Sequence, residues 1–284
     1  MARAVYVCAE VFGRSETDAC RLSPRFTSRR VKLKKPFVLA SFLLASTCLL
    51  AQNNSIPTAT GLPYPVNESE AGCSIRGFAH QTWAEGLQFG HGLASVPRNA
   101  VRPSNLKWEL PILATTGVLI ANVDRPAANR IQSTSLEQTA SRWSNVGLGL
   151  EIGSAALAYG WGCSTHHTYL REAGFTALAA MAAAGTVDLG LKLAFDRQFP
   201  YTPNSTGKFW GGGRSFPSGH SATSFAFAAV VAHRYPHNQW VKWGAYALAT
   251  GVSLSRYPAK KHFPSDILIG ATLGYVTGTY LSGH

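Results

Sequence analysis

The twelve residues Ser255–Asp266, SRYPAKKHFPSD, hold two lysines, an arginine, a histidine and an aspartate between two apolar runs. Only 14% of the 284 residues are charged, so this cluster stands out from the rest of the chain. Pro264 suits the first position of a helix, and Asp266 then lies in the first turn, where negative charge is favoured. His262 precedes that helix. We expect the bend to bring Asp266 against one ring nitrogen, which leaves the other nitrogen free as a nucleophile.

Apolar runs separated by polar turns extend over the C-terminal part of the chain. Each run is long enough for a helix and too long for an ordinary strand. They cover Leu110–Val123, Trp143–Gly160, Ala173–Phe195, Ser218–His233, Trp240–Ser255 and Pro264–Leu281. Residues 52–109 have no sustained period, and a short helix is expected only around 84–93. The sequence therefore predicts an all-α fold, with a six-helix bundle over residues 110–284 and an irregular N-terminal arm over residues 52–109.

Two further polar clusters lie at the ends of predicted helices. Lys192–Pro200 closes the third helix, and Phe216–His220 opens the fourth. In an antiparallel bundle the end of the third helix, the start of the fourth, the end of the fifth and the start of the sixth share one face. The two clusters and Ser255–Asp266 are therefore expected to form one pocket.

The side chains of this pocket have the chemistry that phosphoryl transfer needs. Arg256 offers a planar guanidinium that matches phosphate oxygens. Ser218 and Gly219 present a hydroxyl group and backbone N–H groups at a helix start, where anions bind. His220 can protonate a leaving alkoxide, and Lys192 adds a further positive charge. Such a pocket positions the group, neutralises its charge and protonates the leaving group.

These residues resemble the type 2 phosphatidic acid phosphatase (PAP2)/vanadium haloperoxidase superfamily. The family pattern is Lys, six residues, Arg-Pro; then Pro-Ser-Gly-His; then Ser-Arg, five residues, His, three residues, Asp. The second and third motifs are complete at Pro217–His220 and Ser255–Asp266, and the resemblance covers about residues 110–284. It implies a metal-free site with His262 as phosphohistidine nucleophile, Asp266 as its partner and His220 as the acid. The phosphate ligands that it implies are Lys192, Ser218, Gly219 and Arg256.

The first motif departs from the family pattern at one position. Six residues lie between the motif lysine and the motif arginine, and in this chain Phe199 stands at the arginine position, although Pro200 is in place. A phenyl ring cannot donate hydrogen bonds to a phosphate. Arg197 and Arg214 are the two candidates to supply the missing guanidinium. If neither reaches the pocket, the transition state loses about 2.7–4 kcal/mol, as for one oxyanion donor.

The expected function is hydrolysis of a phosphate monoester, a lipid phosphate or a pyrophosphate, without a cofactor. One alternative is a haloperoxidase that holds vanadate as its cofactor, because vanadate mimics the five-coordinate phosphoryl state. As an inhibitor, vanadate would act on the phosphatase in the same pocket. A second alternative is a phosphate-binding descendant with weakened catalysis, which Phe199 motivates. A solvated loop is a poorer interpretation of Ser255–Asp266, because two motifs match in the family order.

The N-terminal residues 1–51 have the features of a leader with an export signal. A basic segment, Arg29–Lys35, is followed by a predominantly apolar segment of sixteen residues, Pro36–Ala51, and then by a polar segment. A spanning helix needs about 20 apolar residues, so a cleaved signal is favoured over a membrane anchor. The predicted location is therefore outside the cytoplasm, in the periplasm or on a membrane.

The charge distribution restricts the classes of partner. The net charge is +12, and residues 1–51 hold nine Lys/Arg and three Asp/Glu, which leaves +6 for the remainder. No basic stripe interleaved with aromatic residues is present, so a nucleic acid partner is not expected. The remaining charge suits a phosphorylated small molecule, a phosphorylated lipid or an anionic membrane surface.

The mean hydropathy of +0.01 is low for six membrane spans. Six simple spans from residue 110 would also place the polar clusters in the cytoplasm, which conflicts with an exported site. A soluble or membrane-attached bundle is therefore favoured, with an integral one as the alternative. Cys73 and Cys163 follow the predicted signal, and the sequence leaves open whether they form a disulfide or remain two thiols.

Overall fold

The computed structural model describes residues 73, 77–84, 86–87, 90, 103–131, 133–203 and 205–283, all within the compact unit Lys35–His284. The leader and export signal predicted for residues 1–51 lie outside these residues. Every regular element among the described residues is a helix, so the all-α prediction is confirmed. The elements are α1 (Pro103–Val118), a π-helical segment (Leu119–Val123), α2 (Asp124–Arg130), α3 (Thr134–Ser164), α4 (Thr168–Phe195), α5 (Gly219–Arg234), α6 (Gln239–Ser255) and α7 (Pro264–Ser282).

The six predicted helices correspond to α1 and to α3 through α7, and α2 is an additional short helix. The starts of α3 and α4 lie well before the predicted apolar runs. Their first turns are polar, and side-chain caps stabilise them: the Leu136 N–H donates to the Ser133 hydroxyl at 3.3 Å, and the Leu170 N–H donates to His167 Nδ1 at 3.3 Å. Apolar periodicity does not detect such turns, because only the caps mark them.

The N-terminal arm is more helical than its sequence suggests. Residues 77–84, 86–87 and 90 are helical, so the short helix begins before the predicted range of 84–93. The first long helix begins at Pro103, within the predicted irregular segment, because proline is well tolerated in a first helical turn. Cys73 and Cys163 form a disulfide with Cα atoms 5.6 Å apart, which joins this arm to the C-terminal end of α3.

The central helix of the bundle is α5, which packs against α4, α6 and α7. Its contact with α7 is the most extensive and depends on glycine. A Cβ atom on Gly274 would lie 2.0 Å from the Ala222 carbonyl oxygen, and one on Gly270 would lie 2.4 Å from the Ser218 carbonyl oxygen. The two helices run parallel, so their N-terminal ends lie together. The Ser218 N–H donates to the Asp266 carbonyl oxygen at 3.0 Å and joins these ends.

The outer surface of the bundle carries many large apolar side chains. Trp143, Leu157 and Trp161 on α3 are each about two-thirds exposed or more, and Leu193 and Trp240 are similarly exposed on α4 and α6. Among the described helices, α4 is long and apolar enough to cross a membrane by length and composition. An apolar exterior of this extent is typical of a protein surface that contacts a membrane or another protein.

We expect Gly274→Ala to lower the free energy of unfolding by about 1–3 kcal/mol, because the added methyl group meets backbone rather than a movable side chain. Gly251→Ala is the matched control on α6, since a Cβ atom there has nothing within 4 Å. The control is expected to gain about 0.5–1 kcal/mol from reduced backbone entropy. Thermal unfolding of both variants checks this, and equal melting temperatures would contradict the close α5–α7 contact.

Candidate active site

His262 lies in the loop before α7 and is buried. Its Nδ1 atom is 2.7 Å from the Ser215 carbonyl oxygen. Because a carbonyl oxygen only accepts hydrogen bonds, Nδ1 carries the proton and Nε2 keeps its lone pair. The Asp266 carboxylate is 3.8 Å from Nδ1, which is an electrostatic contact beyond hydrogen-bonding distance. The ring is therefore oriented by Ser215, which the sequence did not single out, rather than by a direct bond to Asp266.

Asp266 is fully buried and is held by several donors. Its Oδ2 atom accepts the Ser215 hydroxyl at 2.5 Å and the Phe263 N–H at 2.9 Å. Its Oδ1 atom accepts from Nη1 of Arg197. Three donors on one carboxylate fix its orientation. The negative charge next to the His262 ring is therefore part of the rigid framework.

Arg197 is buried between two carboxylates behind the His262 site. Its Nη2 atom donates to Asp124 at 2.7 Å, its Nε atom donates to the Gly207 carbonyl oxygen at 3.0 Å, and Nη1 contacts Asp266. Ser265 completes the group, because its hydroxyl donates to Asp124 at 2.5 Å. These contacts occupy the guanidinium behind Asp266, so Arg197 does not take the place of the missing first-motif arginine.

Ser218 and Gly219, two of the phosphate ligands expected from the sequence, lie at the start of α5. Together with Lys192 and Arg256 they are called the phosphate cradle below. The Ser218 hydroxyl caps this helix by accepting the Ser221 N–H at 3.5 Å. The N–H groups of Gly219 and His220, in the first turn, have no intrahelical acceptor. Lys192 Nζ reaches the same place, where it donates to the Pro217 carbonyl oxygen at 2.7 Å and to Asp188 at 2.5 Å.

Arg256 and His220 are both hydrogen-bonded to residues of α3. Arg256 Nη1 donates to the Ser144 hydroxyl at 2.8 Å, while its Nε atom is buried and has no hydrogen-bond partner in the described part of the chain. His220 Nε2 lies 2.9 Å from Asn145 Oδ1. An amide oxygen accepts, so Nε2 carries the proton there. Two adjacent residues of α3 thus orient a cation and an imidazole of the site.

Electrostatic interactions indicate that the charged and imidazole side chains of the site lie close to one another. Burial lowers the pKa of His220 to about 3, and the positive charges of Arg256, His262 and Lys192 contribute to the same shift. Burial also lowers the pKa of Arg256 to about 10 and lowers the pKa of His262, although Asp266 opposes the latter shift. Both imidazoles are therefore neutral near pH 7, and Lys192 and Arg256 supply the positive charge around them.

The first-motif departure places an aromatic pair beside His262. The Phe199 ring centroid is 6.5 Å from that of His262, and Phe199 stacks on Tyr201 at 5.0 Å. Lys261 Nζ lies 4.8 Å from the Tyr201 ring centroid, and Lys261 is not among the charges that act on His262. Arg214 is exposed and forms no hydrogen bond or ion pair with the described residues. Neither predicted substitute arginine thus lies in the cradle.

Five residues of the site were not identified from the sequence: Asp124, Ser144, Asn145, Asp188 and Ser215. Only Asp188 carried a usable signal, since it precedes Lys192 by one helical turn and such pairs interact on a helix. The others reach the site through the packing of α2, α3 and the loop before α5.

The family comparison matches the region that holds the three motifs. Residues 173–282 match the family model of the PAP2 superfamily. A 65-residue stretch is 37% identical to lipid A 1-phosphatase of Porphyromonas gingivalis, which corresponds to 22% of this chain and 15% of that protein. The chain therefore aligns with only a small part of the length of this curated relative.

One solved structure matches part of the chain. The crystal structure of the first transmembrane PAP2 type phosphatidylglycerolphosphate phosphatase from Bacillus subtilis superposes with a TM-score of 0.43 and 21% sequence identity. The match covers 61% of this chain and 94% of the Bacillus chain.

We expect Arg197→Met to lower the free energy of unfolding by about 3–5 kcal/mol, because two buried carboxylates lose their shared cation. Arg214→Met removes the same charge from an exposed position and is expected to stay within about 0.5 kcal/mol of the wild type. Chemical unfolding of the two variants measures the difference. Equal stabilities would show that Arg197 does not hold Asp124 and Asp266 together.

Proposed function

We propose that this protein is a PAP2 phosphatase that hydrolyses a lipid phosphate through a phosphohistidine intermediate. The observation that carries this proposal is that Lys192, Arg256, His220 and His262 lie close enough to interact electrostatically, while the buried Nε atom of Arg256 has no hydrogen-bond partner among the described residues. An unpaired buried donor is costly unless a ligand accepts from it. The PAP2 family match and the lipid A 1-phosphatase relative support a phosphorylated lipid as the substrate.

In the first step the Nε2 lone pair of His262 attacks phosphorus. The P–N bond forms while the P–O bond to the lipid alcohol breaks. The phosphorylated ring is positively charged, because Nδ1 keeps its proton on the Ser215 carbonyl oxygen. The Asp266 carboxylate, 3.8 Å away, stabilises that charge. The cations of the cradle and the first-turn N–H groups of α5 stabilise the charge on the phosphoryl oxygens.

His220 is proposed as the acid of the first step and the base of the second. The pKa of the His220 ring is about 3, because burial and the surrounding cations disfavour the imidazolium. A bound phosphoryl group neutralises those cations and therefore raises the pKa of His220. The protonated ring gives its proton to the leaving alkoxide, and it then accepts a proton from the water that attacks the phosphohistidine.

We further propose that the protein is exported and associated with a membrane. The Cys73–Cys163 disulfide supports an oxidising compartment outside the cytoplasm. The exposed tryptophan and leucine side chains of α3, α4 and α6 support contact with lipid. A lipid substrate would then be presented at the surface to which the enzyme is attached.

We expect the wild-type chain to release phosphate from a lipid phosphomonoester, and His262→Ala to fall to the uncatalysed background, because the variant lacks the proposed nucleophile. Vanadate is expected to inhibit release without supporting halide oxidation, which separates the phosphatase from the haloperoxidase alternative. Phosphate release from dicapryl phosphatidic acid and from a soluble aryl phosphate, with His262→Ala as the blank, is the measurement. Equal release by wild type and variant would overturn the assignment.

The second candidate is a phosphate-binding protein with weakened catalysis, which the position of Phe199 favours. Phe199→Arg is expected to raise kcat/KM by about 10²–10³-fold, since one oxyanion donor is worth this factor. Phe199→Met is the matched control, because it removes the ring without adding a donor. A rate that is undetectable in the wild type and appears only with arginine would support the weakened protein. Equal gains from arginine and methionine would show that the ring acts by bulk alone.

A further inference from the structure

Asp188 is a buried carboxylate at the phosphate cradle for which the proposed mechanism has no use. Its side chain is 8% exposed, and its Oδ2 atom lies 2.5 Å from Lys192 Nζ. A Cβ atom on Gly219 would lie 2.8 Å from the same oxygen, so the carboxylate touches the first residue of α5. The other oxygen, Oδ1, is buried and has no hydrogen-bond partner among the described residues. An acceptor group thus lies where an anion is expected to bind.

The charges of the cradle do not balance if a phosphate dianion binds beside an ionised Asp188. The cations that act on His220 and His262 are Lys192 and Arg256, and Phe199 provides no third one. The dianion and the carboxylate together carry one negative charge more than these two cations neutralise. Two anionic groups that share a buried site do not both remain ionised, and they take up a proton between them. One added proton removes the excess.

We propose that Asp188 binds the phosphoryl group as a carboxylic acid, with a proton on Oδ1 that is donated to a phosphoryl oxygen while Oδ2 continues to accept from Lys192. The proton comes from solvent or from a substrate monoanion, and no covalent bond changes. This inference rests on the proposed function, because it requires an anion in the same cradle. In this arrangement Asp188 is a further ligand of the phosphoryl group. The substrate complex then carries one proton more than the separate protein and dianion.

The surroundings of Asp188 are consistent with this state. Burial raises the pKa of the carboxyl group, and Asp266 on α7 acts in the same direction, whereas Lys192 on the same helix lowers it. From α5 the neighbouring titratable group is His220, and Arg256 at the end of α6 acts on Lys192. A bound anion adds negative charge beside the carboxyl group and therefore raises its pKa further.

Sulfate is the probe for the test, because it resembles phosphate in shape but stays a dianion between pH 6 and 8. If Asp188 must be protonated, the affinity of the full wild-type chain for sulfate falls about tenfold per pH unit above the pKa of the free carboxyl group. Calorimetry in buffers of different ionisation enthalpy then shows an uptake that approaches one proton per sulfate. This measurement needs no variant, so it does not depend on the folding of one.

Asp188→Asn separates Asp188 from the other titratable groups. The amide donates a hydrogen bond at every pH, so this variant is expected to take up one proton fewer per sulfate than the wild type and to lose the part of the pH dependence that Asp188 causes. Any proton that His220 takes up remains in both proteins. Asp188→Ala lacks any donor and is expected to bind at least tenfold more weakly than Asp188→Asn. Glu151→Gln is the matched control, because burial raises the pKa of Glu151 to about 7 although it lies elsewhere in the core. This control should keep the wild-type slope.

The outcomes distinguish this inference from the proposed function. Sulfate binding without proton uptake, or an unchanged pH slope in Asp188→Asn, overturns the role of Asp188 alone and leaves the phosphatase proposal intact. Loss of the slope in Glu151→Gln assigns the proton to Glu151 and also overturns it. Failure of sulfate to bind at any pH contradicts the cradle itself and overturns both. A residue that only holds Lys192 in place would leave the proton uptake per sulfate the same in the wild type and in Asp188→Asn.

Discussion

The parallel contact between α5 and α7 is the constraint on which the site depends. Backbone meets backbone there because Gly270 and Gly274 have no side chains, so the distance between the helices cannot relax by rotamer changes. The parallel direction places both helix N-termini at the same end of the bundle, and the partial positive charges of the two helices add at that point. The Ser218–Asp266 backbone hydrogen bond fixes the register. An anion site follows from this arrangement before any charged side chain is considered.

The buried charges are divided into two groups by His262. Behind the ring, Arg197 joins Asp124 and Asp266 and leaves one net negative charge. In front of it, Lys192 and Arg256 supply the positive charge of the cradle. This division suits the proposed phosphohistidine, because a cationic ring would lie between an anionic support and an anionic phosphoryl group. It also explains why Arg197 cannot serve both sides, since its donors are used behind the ring.

The sequence predicted the parts of the molecule that are encoded locally. The helical runs and the two complete motifs are contiguous stretches, so their order and approximate ends could be read without a structure. Asp124 and Asn145 could not be identified in this way, because an isolated polar residue in a helix has the same local pattern whether it faces solvent or a buried site. The sequence could not show whether Arg197 or Arg214 supplies the missing guanidinium for the same reason. Both lie close to a motif in sequence, and only packing shows that one is buried behind Asp266 and the other is exposed.

The replacement of the first-motif arginine by Phe199 changes the charge balance of the cradle more than its shape. Phe199 stacks on Tyr201 and places an aromatic ring beside His262. The cradle nevertheless has one guanidinium fewer than the family pattern, and part of the Lys192 charge is already neutralised by Asp188. A proton on Asp188 compensates for both effects, because it removes a negative charge and adds a hydrogen-bond donor. The departure at Phe199 is thus compatible with an enzyme whose anion binding is strongest at acidic pH.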